Sequence, residues 1–258
     1  MKALSAIYGI VVRDLTRTTR QTSRLIGGIV RPFMWLLLVG TGYNAIAKLD
    51  SHLSYQVFVF PGLVVMATLF GAMLTAISMV YDREFGMLRL MLASPAGATA
   101  VLAGRTLAAA LIGFLQGGIV LAAAPLIEAM RWPNFFLAAG ALSLTSLSSS
   151  AMGLLIAVRL RSVENFAGVI NVVLFPLLFA SGALYPTAGM PRLLRSLALV
   201  NPVTYQVDLM RHAFGQPAEF AVNVDLGVLV LLSFLVFGLA SLLFDTEQRF
   251  VGRKRSPA

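Results

Sequence analysis

Any chemistry in this chain has to be built from three lysines (Lys2, Lys48 and Lys254), two histidines (His52 and His212), 11 acidic residues and no cysteine. A phosphate-cradling loop of the form G-x-x-x-x-G-K-[ST] needs a lysine directly after a glycine, and none of the three follows one. The chain therefore lacks the residues of a nucleotide-hydrolysing loop. Without cysteine there is no disulfide, thiolate nucleophile or Cys-ligated metal. His52 and His212 are far apart and show no metal-ligand spacing. A membrane-embedded enzyme would group His, Asp and Glu on helix faces at one depth, and no such grouping is legible. No catalytic residue, metal ligand or bound cofactor is assigned.

The elements that carry these few polar residues are apolar. Of the 258 residues, 58% are hydrophobic and 12% charged, with mean hydropathy +0.84, well beyond a soluble domain. The apolar residues come in blocks near the roughly 18 to 20 residues that cross a hydrocarbon core of about 30 Å. Six are read as spanning helices: Leu25 to Ala47, Val57 to Val80, Val101 to Ile127, Phe135 to Val158, Phe166 to Leu184 and Leu226 to Phe244. The fold class expected is all-α membrane protein, one domain over residues 1–258.

A net charge of +9 is not read as nucleic-acid binding, because the basic residues sit at the ends of apolar blocks rather than on one polar face. With the N-terminus cytoplasmic, 15 lysines and arginines fall inside, and only Lys48, Arg131, Arg192, Arg195 and Arg211 fall outside. That split satisfies the positive-inside rule with both termini cytoplasmic, in a bacterial inner membrane. The N-terminus has no small-residue cleavage site after an apolar core and is not read as a signal peptide. Arg105 and Glu128 lie near block ends, where snorkelling suffices, which argues against a proton-coupled carrier.

Three segments stand apart from the spans. Residues 1–24 set Ile7, Ile10, Val11 and Leu15 at helical spacing beside Arg13, Arg17, Arg20 and Arg24: a basic amphipathic helix for the anionic surface or, equally, a plain topology anchor. After the second block comes DREFGMLRLMLASP. Here Asp82, Arg83 and Glu84 supply charge at a helix start, Phe85, Leu88, Met91 and Leu92 form an apolar face, and Ser94-Pro95 stops the helix. A short helix docking into a partner's groove fits, although on periodicity alone a polar hairpin is favoured. Residues 185–222 are too long for a turn and too apolar for a floppy loop, with proline-led pieces Pro191 to Val200 and Pro202 to Phe214 too short to span, as in re-entrant or interfacial helices. Residues 245–258 form a basic cytoplasmic tail. Pro176 removes a backbone donor in the fifth block and predicts a kink, serving a gate or the bundle's curvature. Gly113-x-x-x-Gly117 and Ser143 to Ser150 allow close helix approach, most simply within one subunit.

Taken in order, the basic N-terminal helix, DREFGMLRLMLASP, FPLLFASGALYP and LVNPVTYQVDLMRHAF resemble, over essentially the whole chain, the permease subunits of type-2 ABC exporters. The branch most similar includes the nodulation-factor and daunorubicin-type drug exporters. The resemblance implies that residues 82–95 hold the coupling helix that meets the ATPase, through Asp82, Arg83, Glu84, Phe85, Gly86, Leu88 and Arg89, with the N-terminal helix as a second contact. It implies outer re-entrant helices that cap the exit, with Tyr185, Pro186, Asn201, Pro202 and Tyr205 in the gate. It further implies a second copy of the chain, with the first and fifth helices as dimer contacts. Two copies of a cytoplasmic ATPase would hold ATP and Mg, and the cargo would be amphipathic, lipid-like, lipo-oligosaccharide or drug-like. The alternative is an ion-coupled secondary transporter, which would need charged or unwound mid-membrane sites and often internal repeats.

Overall fold

A computed structural model describes residues 2–40, 42, 54–92, 97–127 and 130–253, with side chains described for 3–21, 26–40, 42, 54–92, 97–127 and 130–244. Lys48, His52, Ser94, Pro95, Glu128, Lys254 and Arg255 lie outside the described residues, as does most of the first block beyond Gly40. No strand occurs among the described residues.

The chain folds as α1 (Lys2–Arg20), α2 (Thr22–Trp35, continued by a π-helical turn Leu36–Gly40), α3 (Tyr55–Thr75), α4 (Ile77–Glu84), α5 (Met87–Leu92), α6 (Ala98–Ala122), α7 (Phe135–Arg159), α8 (Val163–Phe179), α9 (Arg192–Val200), α10 (Pro202–Ala213) and α11 (Val222–Arg253). Helix starts follow local chemistry. Ser54, Asn134, Ser162 and Asn201 each turn a side-chain oxygen onto a backbone N–H of the first turn.

Among the described residues, four helical stretches are long and apolar enough to cross a membrane: Tyr55–Glu84, Ala98–Leu126, Phe135–Arg159 and Val222–Phe244. Two shorter apolar helices, Ile26–Gly40 and Val163–Phe179, match the first and fifth blocks. The fifth block ends earlier than expected, because the chain turns at Gly182 with φ +80. The last helix continues through residue 253, so a helix occupies much of the expected tail.

α3 is the centre of the bundle. In its most apolar stretch 89% of residues are buried within the chain, against 17% for Val222–Phe244. A helix apolar all round can face protein or lipid; α3 faces protein on nearly every side, and small residues let its neighbours approach. A Cβ on Gly113 would stand 2.8 Å from the carbonyl oxygen of Thr68, and one on Gly117 2.0 Å from the Thr68 hydroxyl. The Gly113/Gly117 face therefore packs α6 on α3 inside one chain. Ser146, Ser148, Ser149 and Ser150 are buried as well, and Gln206 of α10 donates to Ser148 Oγ (2.7 Å) and Ser149 Oγ (3.3 Å).

α8 buries only a stripe, Phe166, Ile170, Leu174 and Leu178, and leaves Val169, Val172, Phe175 and Phe179 exposed. The helix runs through Pro176. Proline has no N–H, so the Val172 carbonyl lacks its helical donor at that point.

Candidate functional site

The two ends of the bundle carry two separate polar assemblies, the first built around the end of α4. Gly86 takes φ +77, a left-handed conformation that costs glycine nothing, so α4 closes at Glu84 and α5 leaves in a new direction. The acids of the DRE triplet therefore stand at the C-terminal end of one helix and not at the start of another, where an acid would meet the helix dipole unfavourably unless it had cationic or N–H partners. Both acids have them, and Arg83 between them has carbonyl partners.

Asp82 is buried and turns to α1 and α6. Its Oδ2 accepts from Arg13 Nη2 at 2.6 Å and from Arg105 Nη2, and its Oδ1 lies 3.5 Å from Arg17. Arg105 also reaches Asp14 Oδ2 (3.5 Å) and Ser78 Oγ (3.1 Å). Met91 Sδ, from α5, takes contacts from Arg13 (3.4 Å) and Arg105 (3.3 Å). Arg105 does not snorkel: it is 4% exposed and paired in the interior, while Asp14 is 1% exposed.

Arg83 turns the other way. Its Nη1 donates to the carbonyls of Ala157 (3.3 Å), Val158 (2.8 Å) and Leu160 (2.8 Å), where the C-terminal end of the α7 dipole favours a cation. Glu84 accepts from the N–H of Val163 (3.2 Å), where the N-terminus of α8 favours an anion. Three consecutive residues thus attach α4 to α1 and α6, to α7, and to α8.

The apolar face expected of this segment divides. Leu88 is buried, and Met91 and Leu92 pack on the core, but Phe85 is 72% exposed and stacks on Tyr81, 6.2 Å between ring centroids. The turn at Gly86 separates Phe85 from the helix that carries Leu88, so the two residues cannot share a stripe. Phe85, Met87, Arg89 and Leu90 form the exposed side.

At the opposite end, α9 and α10 occupy nearly the predicted ranges. Asn201 caps α10 through Val203 N–H (3.0 Å) and donates to the Leu177 carbonyl of α8 (2.6 Å), tying the two elements together ahead of Pro202. Tyr205 stacks on Phe220 with centroids 5.0 Å apart and donates to the Leu199 carbonyl (2.7 Å). Burial, with Asp225 and Glu219 nearby, pushes the Tyr205 hydroxyl above its usual value. Tyr185 is half-buried and Pro186 exposed, beside Leu184, whose carbonyl accepts from Tyr55 (2.8 Å).

Sequence reasoning missed the polar residues behind this layer. Arg211 donates to the Gly182 carbonyl (2.7 Å) and lies over the Phe58 ring (4.6 Å); burial lowers its pKa, and Asp208 and Glu219 oppose that. Asp208, His212 and Asp225 converge, their ligand-capable atoms all within 4.8 Å of one another. The i, i+4 spacing of Asp208 and His212 was a readable signal. A search for paired histidines passes over it.

A separate apolar crevice of about 340 Å³ opens between α1, α6, α7 and α11, lined by Ile7, Leu107, Leu144, Val230, Phe234 and Phe237 among others. The hydroxyls in it, Thr106 and Ser233, are bonded to carbonyls of their own helices.

Comparison with known proteins agrees with this architecture. The family model described as ABC-2 type transporter matches residues 5–214. The chain is 24% identical to "Nodulation protein J" of Rhizobium leguminosarum bv. viciae, over 82% of this chain and 82% of the relative. It is 25% identical to "Inner membrane transport permease YadH" of Escherichia coli K12, over 88% and 89%. With "Probable multidrug ABC transporter permease YbhR" of the same organism it shares 30% identity, over 76% of this chain and 52% of the relative. A multi-pass, all-helical chain matched over most of its length in this way belongs to the ABC-2 type transporter permease family.

Proposed function

We propose that this chain is the membrane subunit of an ATP-driven exporter, crossing the membrane six times with both termini cytoplasmic and working as two copies with two copies of a separate ATPase that holds ATP and Mg. The observation that carries the reading is the fan of contacts from Asp82, Arg83 and Glu84 to α1, α6, α7 and α8. A force on the exposed side of α5 and Phe85 would reach the apolar helices α6, α7 and α8 through charge-assisted bonds. Such a lever suits a subunit whose energy arrives from outside the chain. The membrane relatives named as permeases support the same role.

On this reading the α4–α5 turn, with Phe85, Gly86, Leu88 and Arg89, is the coupling surface, and α1 is fastened to it by Arg13 and Arg17. The α9–α10 layer lies at the outer face and caps the exit. The exposed apolar faces of α2 and α8, with Met34 and Leu38 on one and Val172 and Phe179 on the other, are the surfaces offered to the second copy. The cargo is amphipathic, with lipid-like, lipo-oligosaccharide and drug-like molecules all fitting; the apolar crevice beside α11 suits an alkyl part.

The test is purification of the tagged chain from gently solubilised membranes, with mass spectrometry of what accompanies it and ATP turnover of the complex. The reading expects an ATPase with a phosphate-binding loop in near-equal amount, and turnover that changes when Glu84 or Phe85 is altered. A folded chain that repeatedly purifies alone would sink it and favour an ion-coupled carrier.

A further inference from the structure

Asp225, in the first turn of α11, is 0% exposed, and neither of its carboxylate oxygens has a hydrogen-bond partner. A bare carboxylate in the interior is strongly destabilising unless a proton or a cation answers it, and a helix N-terminus offsets only part of that cost. The group facing it is His212, whose Nε2 stands 3.6 Å from Asp225 Oδ2, beyond hydrogen-bonding reach, and 2.9 Å from the Phe220 carbonyl oxygen. On the other side is Asp208, 2% exposed, whose orientation is fixed by three backbone bonds: Glu219 N–H to Oδ1 (2.8 Å) and Oδ2 (3.0 Å), and Phe220 N–H to Oδ2 (2.7 Å).

We propose that Asp208, His212 and Asp225 form a binding site for a divalent transition-metal ion, Zn2+ or Mn2+, that pins α10 to the first turn of α11. One imidazole and two carboxylates are the donor set such ions accept. In a six-coordinate shell with bonds of about 2.1 Å, neighbouring ligands stand about 3.0 Å apart and opposite ones about 4.2 Å. His212 Nε2–H donates to the Phe220 carbonyl at 2.9 Å; an ion would displace that proton from Nε2, with the carbonyl already at a neighbouring ligand's distance and Asp225, at 3.6 Å, within the range. The ligand-capable atoms of the three side chains all lie within 4.8 Å of one another, and the Asp225 carboxylate, which no hydrogen bond restrains, is free to turn toward the other two. Asp208 keeps a lone pair on Oδ1, and its backbone donors do for it what outer-sphere partners do for metal carboxylates.

Two other charged groups at this end have hydrogen-bond partners of their own, although the Asp208 and Glu219 charges also act on Arg211. Glu219 accepts from Thr187 and lies 3.4 Å from Arg195, and Arg211 donates to Gly182. Loop 214–221 joins the two helices that the ion would clamp, so an occupied site would hold α10 against α11. This inference does not depend on the direction of transport or on the ATPase.

The experiment uses full-length protein carrying a non-histidine tag, stripped with a chelator in detergent and titrated with Zn2+ and Mn2+ by calorimetry, with metal content measured after dialysis and thermal unfolding followed with and without the ion. The expected result is about one ion per chain, a raised unfolding midpoint, and affinity lower by ~10-fold or more in Asp225→Asn and His212→Gln. Asn at 225 keeps the shape and removes the bare charge, so that variant folds; if it does not, the wild-type titration still decides. Absence of binding to stripped wild-type protein overturns the proposal, leaving Asp225 as a buried neutral acid. So does binding that Asp225→Asn leaves unchanged, which would put the ion elsewhere.

Discussion

The carboxylate of Glu84 accepts the backbone N–H of Val163 at 3.2 Å, so the last residue of α4 closes the first turn of α8 across 79 positions of sequence. Its neighbour Arg83 closes the last turn of α7. Consecutive side chains of opposite charge thus hold helix ends of opposite dipole, and both adjoin the α7–α8 turn.

Glu84 is exposed, so the bond contributes little to stability, and the proposed coupling role predicts that its effect shows in transmission. Glu84→Gln keeps an acceptor oxygen and Glu84→Ala keeps none. Thermal unfolding of both should stay close to wild type, with a loss of about 1 kcal/mol at most. ATP turnover of the assembled transporter should fall further in the alanine variant. An unfolding loss of the size seen for core variants, with turnover intact, would place Glu84 among purely structural groups.

Arg105 and Asp14 make the opposite case, since both are buried and each is the other's charged partner at 3.5 Å. Replacing Arg105 by Met leaves Asp14 with Ser78 as its side-chain partner among the described residues and removes one cation from Asp82, and the expected cost is about 3–5 kcal/mol. Asp14→Asn on the same background should restore part of it, because the stranded charge is then gone. Unfolding midpoints of the four proteins in one detergent decide the matter. Strict additivity would mean that the two side chains do not interact.

The apolar blocks were legible because a spanning helix needs only length and hydrophobicity, and α3, α6, α7 and α11 lie where those rules put them. Helix starts at α9 and α10 were legible from Pro191 and Pro202 for a similar local reason. Residues whose role depends on a partner distant in sequence were not. Arg105 sits seven residues into α6, where snorkelling is an adequate account until Asp14 and Asp82 are brought to it. Phe85 and Leu88 share a helical spacing, and only the positive φ of Gly86 puts them on different surfaces. Asp225 has no sequence neighbour that signals His212, because the loop that joins them sets their approach.

Gly117 and Gly118 separate close packing from simple helix propensity. A Cβ at Gly117 would fall 2.0 Å from Thr68 Oγ1, whereas nothing lies within 4 Å of one at Gly118. Gly117→Ala should destabilise by about 1–3 kcal/mol as α6 is pushed off α3. Gly118→Ala should be neutral or stabilising by up to about 1 kcal/mol. Equal effects of the two substitutions on thermal unfolding would contradict the α3–α6 interface.

Gly86 joins α4 to α5 and, on the proposed coupling role, tests whether the shape of the turn, apart from its contacts, matters for transmission. A Cβ there would meet nothing within 4 Å, so any penalty comes from the φ of +77. Gly86→Ala should cost about 1–2 kcal/mol, while Gly86→Asn, which tolerates the left-handed region, should cost less. If α5 must leave α4 in this direction to receive force, ATP turnover by the complex follows the same order, with glycine highest, asparagine next and alanine lowest. The exposed charge of Arg89 is present in all three proteins, so a surface-charge account predicts no such order. Alanine and asparagine variants with equal turnover would show that the direction in which α5 leaves α4 carries no information.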